Sequence, residues 1–356
     1  MSQDRESGAS SGMPVNFPVV RLSDISPRPV FMQKWERLRH REAHWFSQMV
    51  AEFIAVFVYV YCGVGANVAF IVGTVLGQPG LGSLFNVGFA YAMGITLAVT
   101  LCFATSGGHF NPSVTISMII FKKFPAIRGL RYIFAQILGA YVACFFVYVQ
   151  WGTFITDCIE VLKLKGEYDT VMFTSSGPAG AFALYGTPGG SLGRMFLNEF
   201  VNSFIIALAI WGALDPTNHM IPPAAGPWLI GLVYATVIWG FSPATLAANT
   251  ARDLGGRFMA MTIWGTEAAG GRYAAIAALT NIPATVFAAF VYEMFLGSHT
   301  RILTPSAYHF YAAYKKYHDD NGIKIPGFGE DDEHANVTIG RTSSYEKAQD
   351  EQISRV

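Results

Sequence analysis

The sequence predicts an all-α membrane protein with six transmembrane helices and two short re-entrant half-helices, arranged as an inverted repeat. Three observations predict this fold. The composition is 52% hydrophobic and 13% charged with a net charge of zero, which is unlike a soluble globular chain. The chain also contains six long apolar stretches, and two short asparagine-centred motifs lie between them.

The six apolar stretches each approach or exceed the roughly 20 residues that a helix needs to cross a bilayer. We expect spans at residues 46–75, 84–105, 132–151, 193–214, 228–245 and 273–296. Basic residues cluster before the first span, between the second and third, and after the sixth. The positive-inside rule therefore predicts that both tails lie in the cytosol, and the acidic connection at 152–192 is expected to be an external loop.

The chain divides into a disordered basic cytosolic tail (1–45), a membrane domain (46–297) and a second cytosolic tail (298–356). The first tail lacks the apolar segment of a cleavable signal, so the first span is expected to direct membrane insertion. The cysteines show neither a disulfide framework nor metal-ligand spacing. No metal, cofactor or nucleic-acid partner is expected.

Two asparagine motifs predict helices that begin at membrane depth. Asn is a favoured N-cap and Pro a favoured first residue of a helix, so Asn111-Pro112 predicts a helix start. The second motif centres on Asn249. The unsatisfied N–H groups and positive dipole of such a terminus must face a water-filled cavity or be buried in protein. Two such starts indicate a polar path across the membrane.

The two halves of the chain repeat each other. A glutamate lies early in the first span (Glu52) and in the fourth (Glu199), and each is followed, two connections later, by one of the asparagine motifs. Three spans per half give the halves opposite orientations, with the site near the midplane where the interrupted helices meet. The two half-helices should enter from opposite sides with their N-termini facing each other.

These residues resemble the major intrinsic protein family of aquaporins and aquaglyceroporins over about residues 46–296. The resemblance rests on the paired asparagines, the paired glutamates, Gly-Gly-His before Asn111 and Ala-Arg-Asp-Leu-Gly after Thr250. The long tails and variant motifs are similar to fungal members. The resemblance implies six tilted helices, two half-helices and a homotetramer of independently conducting protomers.

The resemblance also implies the pore residues. Asn111 and Asn249 donate to the solute, and the selectivity filter consists of Tyr91, Ile238, Leu246 and Arg252, with Val237 as the alternative to Ile238. The expected pore carbonyls and lining are Gly107, Gly108, His109, Ala247 and Ala248, together with the carbonyl of Leu246. An aliphatic residue replaces the histidine of strictly water-selective members, which favours an amphipathic opening suited to a polyol.

Five residues are expected to support the pore without touching solute: Glu52, Glu199, Gln136, Asp253 and Arg257. Each glutamate is expected to be buried and to accept N–H groups of a half-helix loop, although a charge snorkelling to the surface is the alternative. Asp253 and Arg257 resemble the glycerol-conducting branch and can also form an ordinary ion pair along one helix face.

Four positions depart from the family pattern. Ser113 replaces the usual alanine of the first motif, Thr250 replaces the proline of the second, and Leu279 and Thr280 match neither branch. We interpret the protein as a passive, multi-pass channel of the plasma membrane for small uncharged solutes, with glycerol favoured and water also passing. The alternatives are a water or hydrogen peroxide channel with little glycerol flux, and a coupled transporter titrating at His109. No residue pattern indicates an enzyme.

Overall fold

The computed structural model describes residues 21–26, 28–40, 42–242 and 245–320, and within these ranges it contains helices and no strand. The chain forms two units, residues 38–327 and a second made of residues 1–37 and 328–356. In the second unit the structure describes one helical turn, Leu22–Ile25, and most of helix α1, Val30–His40, with an ion pair of 3.4 Å between Arg28 and Glu36. Tail residues 1–20 and 321–356 lie outside the described residues.

The larger unit contains the remaining helices. They are α2 (His44–Val75), α3 (Leu84–Ser106), α4 (Pro112–Lys122), α5 (Ala126–Gln150), α6 (Gly152–Lys165), α7 (Leu192–Leu214), α8 (Gly226–Gly240), α9 (Thr250–Trp264), α10 (Tyr273–Leu279), α11 (Asn281–Val291) and α12 (Pro305–Asp320). Short turns connect them at Pro79–Leu81, Tyr168–Val171, Pro178–Ala181, Pro223–Ala225 and Gly265–Ala269, and a π-helical turn covers Tyr292–Leu296.

Six helical segments are long and apolar enough to cross a membrane: His44–Val75, Pro79–Ser106, Ala126–Gln150, Leu192–Leu214, Pro223–Gly240 and Tyr273–Leu296. The prediction of six spans is therefore confirmed, as are the two half-helices, α4 and α9. The fifth span ends at Gly240 rather than 245, before Pro243, whose ring disfavours helical conformation at the preceding residue. The connection after the third span was expected to be a loop, but it begins with helix α6.

The sixth span is interrupted between α10 and α11. Asn281 bends back to donate its side-chain amide to the carbonyl oxygens of Ala277 and Ala278, at 3.2 and 3.4 Å. Pro283 has no N–H group for the carbonyl oxygen of Leu279, and its ring clashes with that preceding turn, which interrupts the helix. The Asn281 side chain adds to the break because it bonds to carbonyls of the same turn. The break lies beside the second half-helix, which uses one of the same carbonyls.

Each half-helix packs against a span of the opposite repeat. Half-helix α4 lies on α11, where Thr285 Oγ1 and Ser113 Oγ are 3.2 Å apart. Half-helix α9 lies on α5 so closely that a Cβ atom at Gly255 would be 2.7 Å from the backbone nitrogen of Tyr141. Only glycine permits this approach, because any larger residue would push the half-helix away from the span. Because each half-helix packs on the opposite repeat, the two half-helix N-termini come together inside the bundle.

Candidate functional site

The site is built on the N-termini of the two half-helices, each capped by an asparagine. Asn111 Oδ1 accepts from the backbone N–H of Ser113 at 3.0 Å, and Asn249 Oδ1 accepts from those of Ala251 and Arg252 at 2.8 and 3.3 Å. Both caps have extended backbones with φ of −153°. An N-cap satisfies donors that a helix terminus leaves unpaired, so both helices can begin in the protein interior.

The residue before each cap has an unusual backbone conformation. Phe110 has φ of 50° and Ala248 has φ of 51°, so both lie in the left-handed region that residues other than glycine rarely adopt. This costs roughly 1–3 kcal/mol at each position and persists only where the surroundings enforce it. The matching strain at equivalent positions shows that the two repeats hold their half-helix entrances in the same way.

The two caps also bind each other's loops. Asn111 Nδ2 donates to the carbonyl oxygen of Ala248 at 3.1 Å, and Asn249 Nδ2 donates to that of Phe110 at 2.9 Å. These reciprocal bonds place the N-termini face to face, the geometry expected of an inverted repeat. The Ala248 carbonyl oxygen accepts one of these bonds, so this carbonyl links the two half-helices.

Glu52 holds the loop before the first half-helix. Its side chain is 0% exposed, and its two oxygens accept from the backbone N–H groups of His109 at 3.1 Å and Phe110 at 2.7 Å. Gln136 Nε2 donates to the same carboxyl group at 2.8 Å and to Thr115 Oγ1 at 3.1 Å. The carboxyl group thus serves as a fixed acceptor inside the bundle and does not snorkel to the surface.

Glu199 has the equivalent position in the second repeat. It is also 0% exposed, and it accepts from the backbone N–H groups of Ala247 at 2.8 Å and Ala248 at 3.2 Å. The hydroxyl group of Tyr273 donates to it at 2.9 Å. Each buried glutamate thus has two backbone partners and one side-chain partner, which is Tyr273 in the second repeat and Gln136 in the first.

The His109 ring lies within the fold. Its Nδ1 is 3.2 Å from Thr115 Oγ1, and the ring packs against Phe124 and Tyr132 with centroid distances of 4.5 and 5.1 Å. The neighbouring Gly107 and Gly108 are half-buried, with φ of 85° and 75°. The imidazole is therefore packed within the fold, with 7% of the residue exposed.

Arg252, in the first turn of α9, makes three hydrogen bonds. Its Nε donates to the Tyr91 hydroxyl group at 3.0 Å, Nη1 to the carbonyl oxygen of Phe182 at 2.6 Å and Nη2 to that of Ala181 at 3.2 Å. The guanidinium is therefore held by a side chain of the second span and by backbone of the 152–192 connection. Sequence reasoning placed Tyr91 and Arg252 together but did not identify the two carbonyls.

The other expected filter residues differ in their surroundings. Leu246 is half-buried and packs on a cluster that contains Val237 and Ala248, in which Val237 is 1% exposed. Ile238 is half-buried and does not belong to that cluster. Ile238 is therefore the side chain of this pair that is left with open surface.

Asp253 and Arg257 form a buried ion pair one turn apart on α9. Arg257 Nε is 3.2 Å from Asp253 Oδ2, and the guanidinium also donates to the carbonyls of Leu184 and Ala269, each at 3.0 Å. A buried charge requires such partners because desolvation is costly. The pair fastens the second half-helix to the 152–192 connection and to the turn that follows the half-helix, Gly265–Ala269.

Thr250, the first residue of α9, stands where the family resemblance led us to expect a proline. Its hydroxyl group lies 2.8 Å from the carbonyl oxygen of Ala278 and 2.9 Å from Asn281 Oδ1. A proline could make neither contact. The threonine therefore ties the half-helix to the break in the sixth span.

Replacing Thr250 with valine is expected to destabilise the protein by about 1–3 kcal/mol, because the valine removes the one hydroxyl hydrogen that the buried Ala278 carbonyl and Asn281 Oδ1 share. Thermal unfolding of the purified protein in detergent measures this change. Thr250→Ser retains the hydroxyl group and should unfold near the wild-type temperature. An unchanged unfolding temperature for Thr250→Val would contradict the assignment.

Two tyrosines reach the asparagines and were not identified from the sequence. The Tyr59 hydroxyl group accepts from Asn249 Nδ2 at 2.7 Å, and the Tyr234 side chain interacts with Asn111. The position of Tyr59, two helical turns beyond Glu52 on the same face, was the available signal. Among the residues that the structure describes, no cluster of three or more His, Cys, Asp or Glu could hold a metal ion.

Comparisons with known proteins agree with this geometry. The sequence model of the family described as Major intrinsic protein matches residues 39–295. Aquaporin-3 of Laccaria bicolor is 51% identical over 302 residues, covering 82% of this chain and 92% of that protein. The glycerol uptake facilitator protein of Haemophilus influenzae is 30% identical over 261 residues, covering 71% and 95%.

A solved structure shows the same fold. The aquaglyceroporin of Plasmodium falciparum superimposes with a TM-score of 0.61 at 23% identity, covering 71% of this chain and 97% of that one. The members of the matching family are membrane channels and not enzymes. With its six spans and its two half-helices, this chain belongs to the major intrinsic protein family and is a multi-pass membrane channel for water or small solutes.

Proposed function

We propose that the protein is a passive channel that conducts glycerol and water across the plasma membrane. The observation that carries the proposal is the meeting of the two half-helix N-termini, with Arg252 one turn beyond Asn249. A polar solute that enters a bilayer loses several kcal/mol for each group left without a hydrogen bond. The half-helix dipoles and polar groups at this position replace those bonds and oppose cations.

In the proposed pore, Asn111 and Asn249 form the centre and Arg252, Tyr91, Leu246 and Ile238 the filter. Leu246 and Ile238 offer apolar surface to the carbon atoms of a polyol, and the guanidinium faces its hydroxyl groups. Backbone carbonyls of Gly107, Gly108, His109 and Ala247 supply acceptors on either side of the centre. Glu52, Glu199, Gln136, Asp253 and Arg257 position these groups through the contacts described above.

The choice of glycerol is supported by relatives whose names include glycerol uptake facilitator and by the aliphatic Ile238. One observation favours the alternative, a water or hydrogen peroxide channel with little glycerol flux. The Tyr91 hydroxyl group is bound to Arg252, so it occupies a donor that a polyol would use and narrows the opening. Both candidates use the same pore and differ in the width of the filter.

The proposed topology places both termini in the cytosol, supported by the basic residues around alternate connections. The proposed assembly is a homotetramer with one pore in each protomer, supported by the family membership. The fifth span supports an assembly because only 22% of its apolar window is buried within the single chain, against 44–50% for the other spans.

Replacing Tyr91 with leucine tests the filter. Liposomes containing the purified protein are shrunk in sorbitol, then mixed with glycerol or with the four-carbon polyol erythritol, and re-swelling is followed by stopped-flow light scattering. The wild type should pass glycerol and discriminate against erythritol. Tyr91→Leu should reduce the ratio of glycerol to erythritol permeability by about tenfold. This is the lower end of the discrimination that one methylene group gives in a tight apolar site.

Tyr141→Leu is the matched control, because the Tyr141 hydroxyl group lies at the exposed Thr262 contact, 3.2 Å away, and not at the filter. Rapid water or peroxide flux without glycerol flux in the wild type would select the alternative. The proposed function would be overturned if liposomes with the wild-type protein were no more permeable than protein-free liposomes to glycerol, erythritol, water and hydrogen peroxide.

A further inference from the structure

The centre of the proposed pore has an unexpected occupant, the Tyr59 hydroxyl group. Asn249 Nδ2 donates to Tyr59 at 2.7 Å and to the carbonyl oxygen of Phe110 at 2.9 Å, while Asn249 Oδ1 accepts from the half-helix backbone. A side-chain amide has two N–H donors. Both hydrogens of Asn249 are therefore used by the protein, and neither is left for a solute.

Asn111 makes a similar pair of contacts. Its Nδ2 donates to the Ala248 carbonyl, and its side chain interacts with Tyr234 of the fifth span. Farther out, Arg252 Nε donates to the Tyr91 hydroxyl group. Three tyrosines thus lie at the three side chains that the family resemblance assigns to solute binding, and the Tyr59 contact of 2.7 Å is shorter than the Tyr91 contact of 3.0 Å.

The Tyr59 hydroxyl group still has its own hydrogen to donate. A phenol has one O–H donor, and in residues 21–26, 28–40, 42–242 and 245–320 the structure gives it no acceptor. Tyr59 is 5% exposed on its own span, which is packed on both sides by neighbouring helices. The ring is therefore fixed, and the hydroxyl hydrogen is its adjustable part.

We propose that Tyr59 is a specificity-determining residue of this channel. Its hydroxyl oxygen occupies one N–H donor of Asn249, and its own hydroxyl hydrogen is presented to the solute instead. This inference rests on the proposed function, because it assumes that the solute passes between the two asparagines. A passing oxygen either accepts from the Tyr59 O–H or displaces Tyr59 from Asn249. Displacement breaks a bond that the empty channel already makes, and the protruding oxygen narrows the path for a polyol more than for water.

Replacing Tyr59 with phenylalanine tests the inference with almost no change in volume. The substitution frees one N–H of Asn249 and removes the protruding oxygen. In reconstituted liposomes we expect glycerol permeability per protein to increase about fivefold, the equivalent of one net hydrogen bond. Water permeability should change less, so the glycerol-to-water ratio should increase.

Tyr61→Phe is the matched control, since Tyr61 lies on the same helix and its hydroxyl group bonds to Gln150 at the exposed surface, at 2.6 Å. It should leave both permeabilities unchanged. Tyr234→Phe is a second variant at the centre and should increase glycerol permeability in the same direction. Reconstituted protein is quantified in every sample, so that a loss of folded protein is not mistaken for a change in flux.

The outcomes separate the inference from the proposed function. A wild type that conducts glycerol, with Tyr59→Phe showing an unchanged or lower glycerol-to-water ratio, would overturn the inference and leave the function intact. A non-conducting wild type with a conducting Tyr59→Phe variant would support the inference in its extreme form, with Tyr59 closing the channel. If neither protein conducts any solute, both proposals fail.

Discussion

Replacing Arg252 with alanine is expected to admit protons and small cations, which the proposed channel excludes. The guanidinium is 3% exposed and fixed by three hydrogen bonds, so its charge is poorly screened. At 4 Å and an effective dielectric constant of about 20, two unit charges repel by about 4 kcal/mol. Removal of that barrier corresponds to roughly a thousandfold increase in cation entry.

Proton flux is measured with a pH-sensitive dye inside liposomes, and cation flux by conductance across a planar bilayer. Arg252→Lys retains the charge and should still exclude cations, although it loses the fork that reaches two carbonyls. Arg272→Ala removes an exposed arginine at the start of the sixth span and should have no effect. Equal cation flux through Arg252→Ala and the wild type would contradict the assignment of Arg252 to the filter.

Replacing Glu52 with alanine is expected to destabilise the first half-helix. The substitution leaves the backbone N–H groups of His109 and Phe110 buried without a partner, at about 1–3 kcal/mol each. The total of about 2–6 kcal/mol is a large share of the roughly 5–15 kcal/mol that stabilises a typical domain. Loss of glycerol flux should accompany the loss of stability, because the loop also holds Asn111.

Thermal unfolding in detergent and glycerol re-swelling measure the two effects together. Glu52→Gln retains one acceptor oxygen and should be affected less than Glu52→Ala. Glu42→Ala, which changes an exposed glutamate just before the same span, is the control. A Glu52→Ala protein that unfolds at the wild-type temperature would show that the buried carboxyl group does not hold the half-helix.

The equivalent variant of Glu199 extends the comparison between the repeats. Glu199 accepts from two backbone N–H groups and from the Tyr273 hydroxyl group, so Glu199→Ala leaves three donors unpaired. The similar partners at Glu52 and Glu199 explain why one internal sequence repeat corresponds to one structural unit. The repeat was visible in the sequence because both glutamates precede their asparagines by two connections.

Local features of the chain were predictable because they depend on neighbouring residues. Asn111 and Asn249 begin helices since the capping bonds reach only two or three residues along the chain. The six spans follow from continuous apolar length. The predicted end of the fifth span was wrong by five residues, because helix boundaries are the least predictable feature of an element. Helix α6 was not predicted, although a connection rich in Gly, Ser and Thr does not exclude a helix.

The sequence by itself therefore determined the membrane class, the six spans, the inverted repeat and the two capped half-helices, all of which arise from composition, periodicity and local hydrogen bonding. Only the tertiary structure decided which groups fill the centre of the site. Tyr59 meets Asn249 across 190 positions of sequence, and Arg252 meets the carbonyls of Phe182 and Ala181 across 70 and 71. No local pattern encodes such contacts, because they exist only once the exchanged half-helices have packed against the opposite repeat.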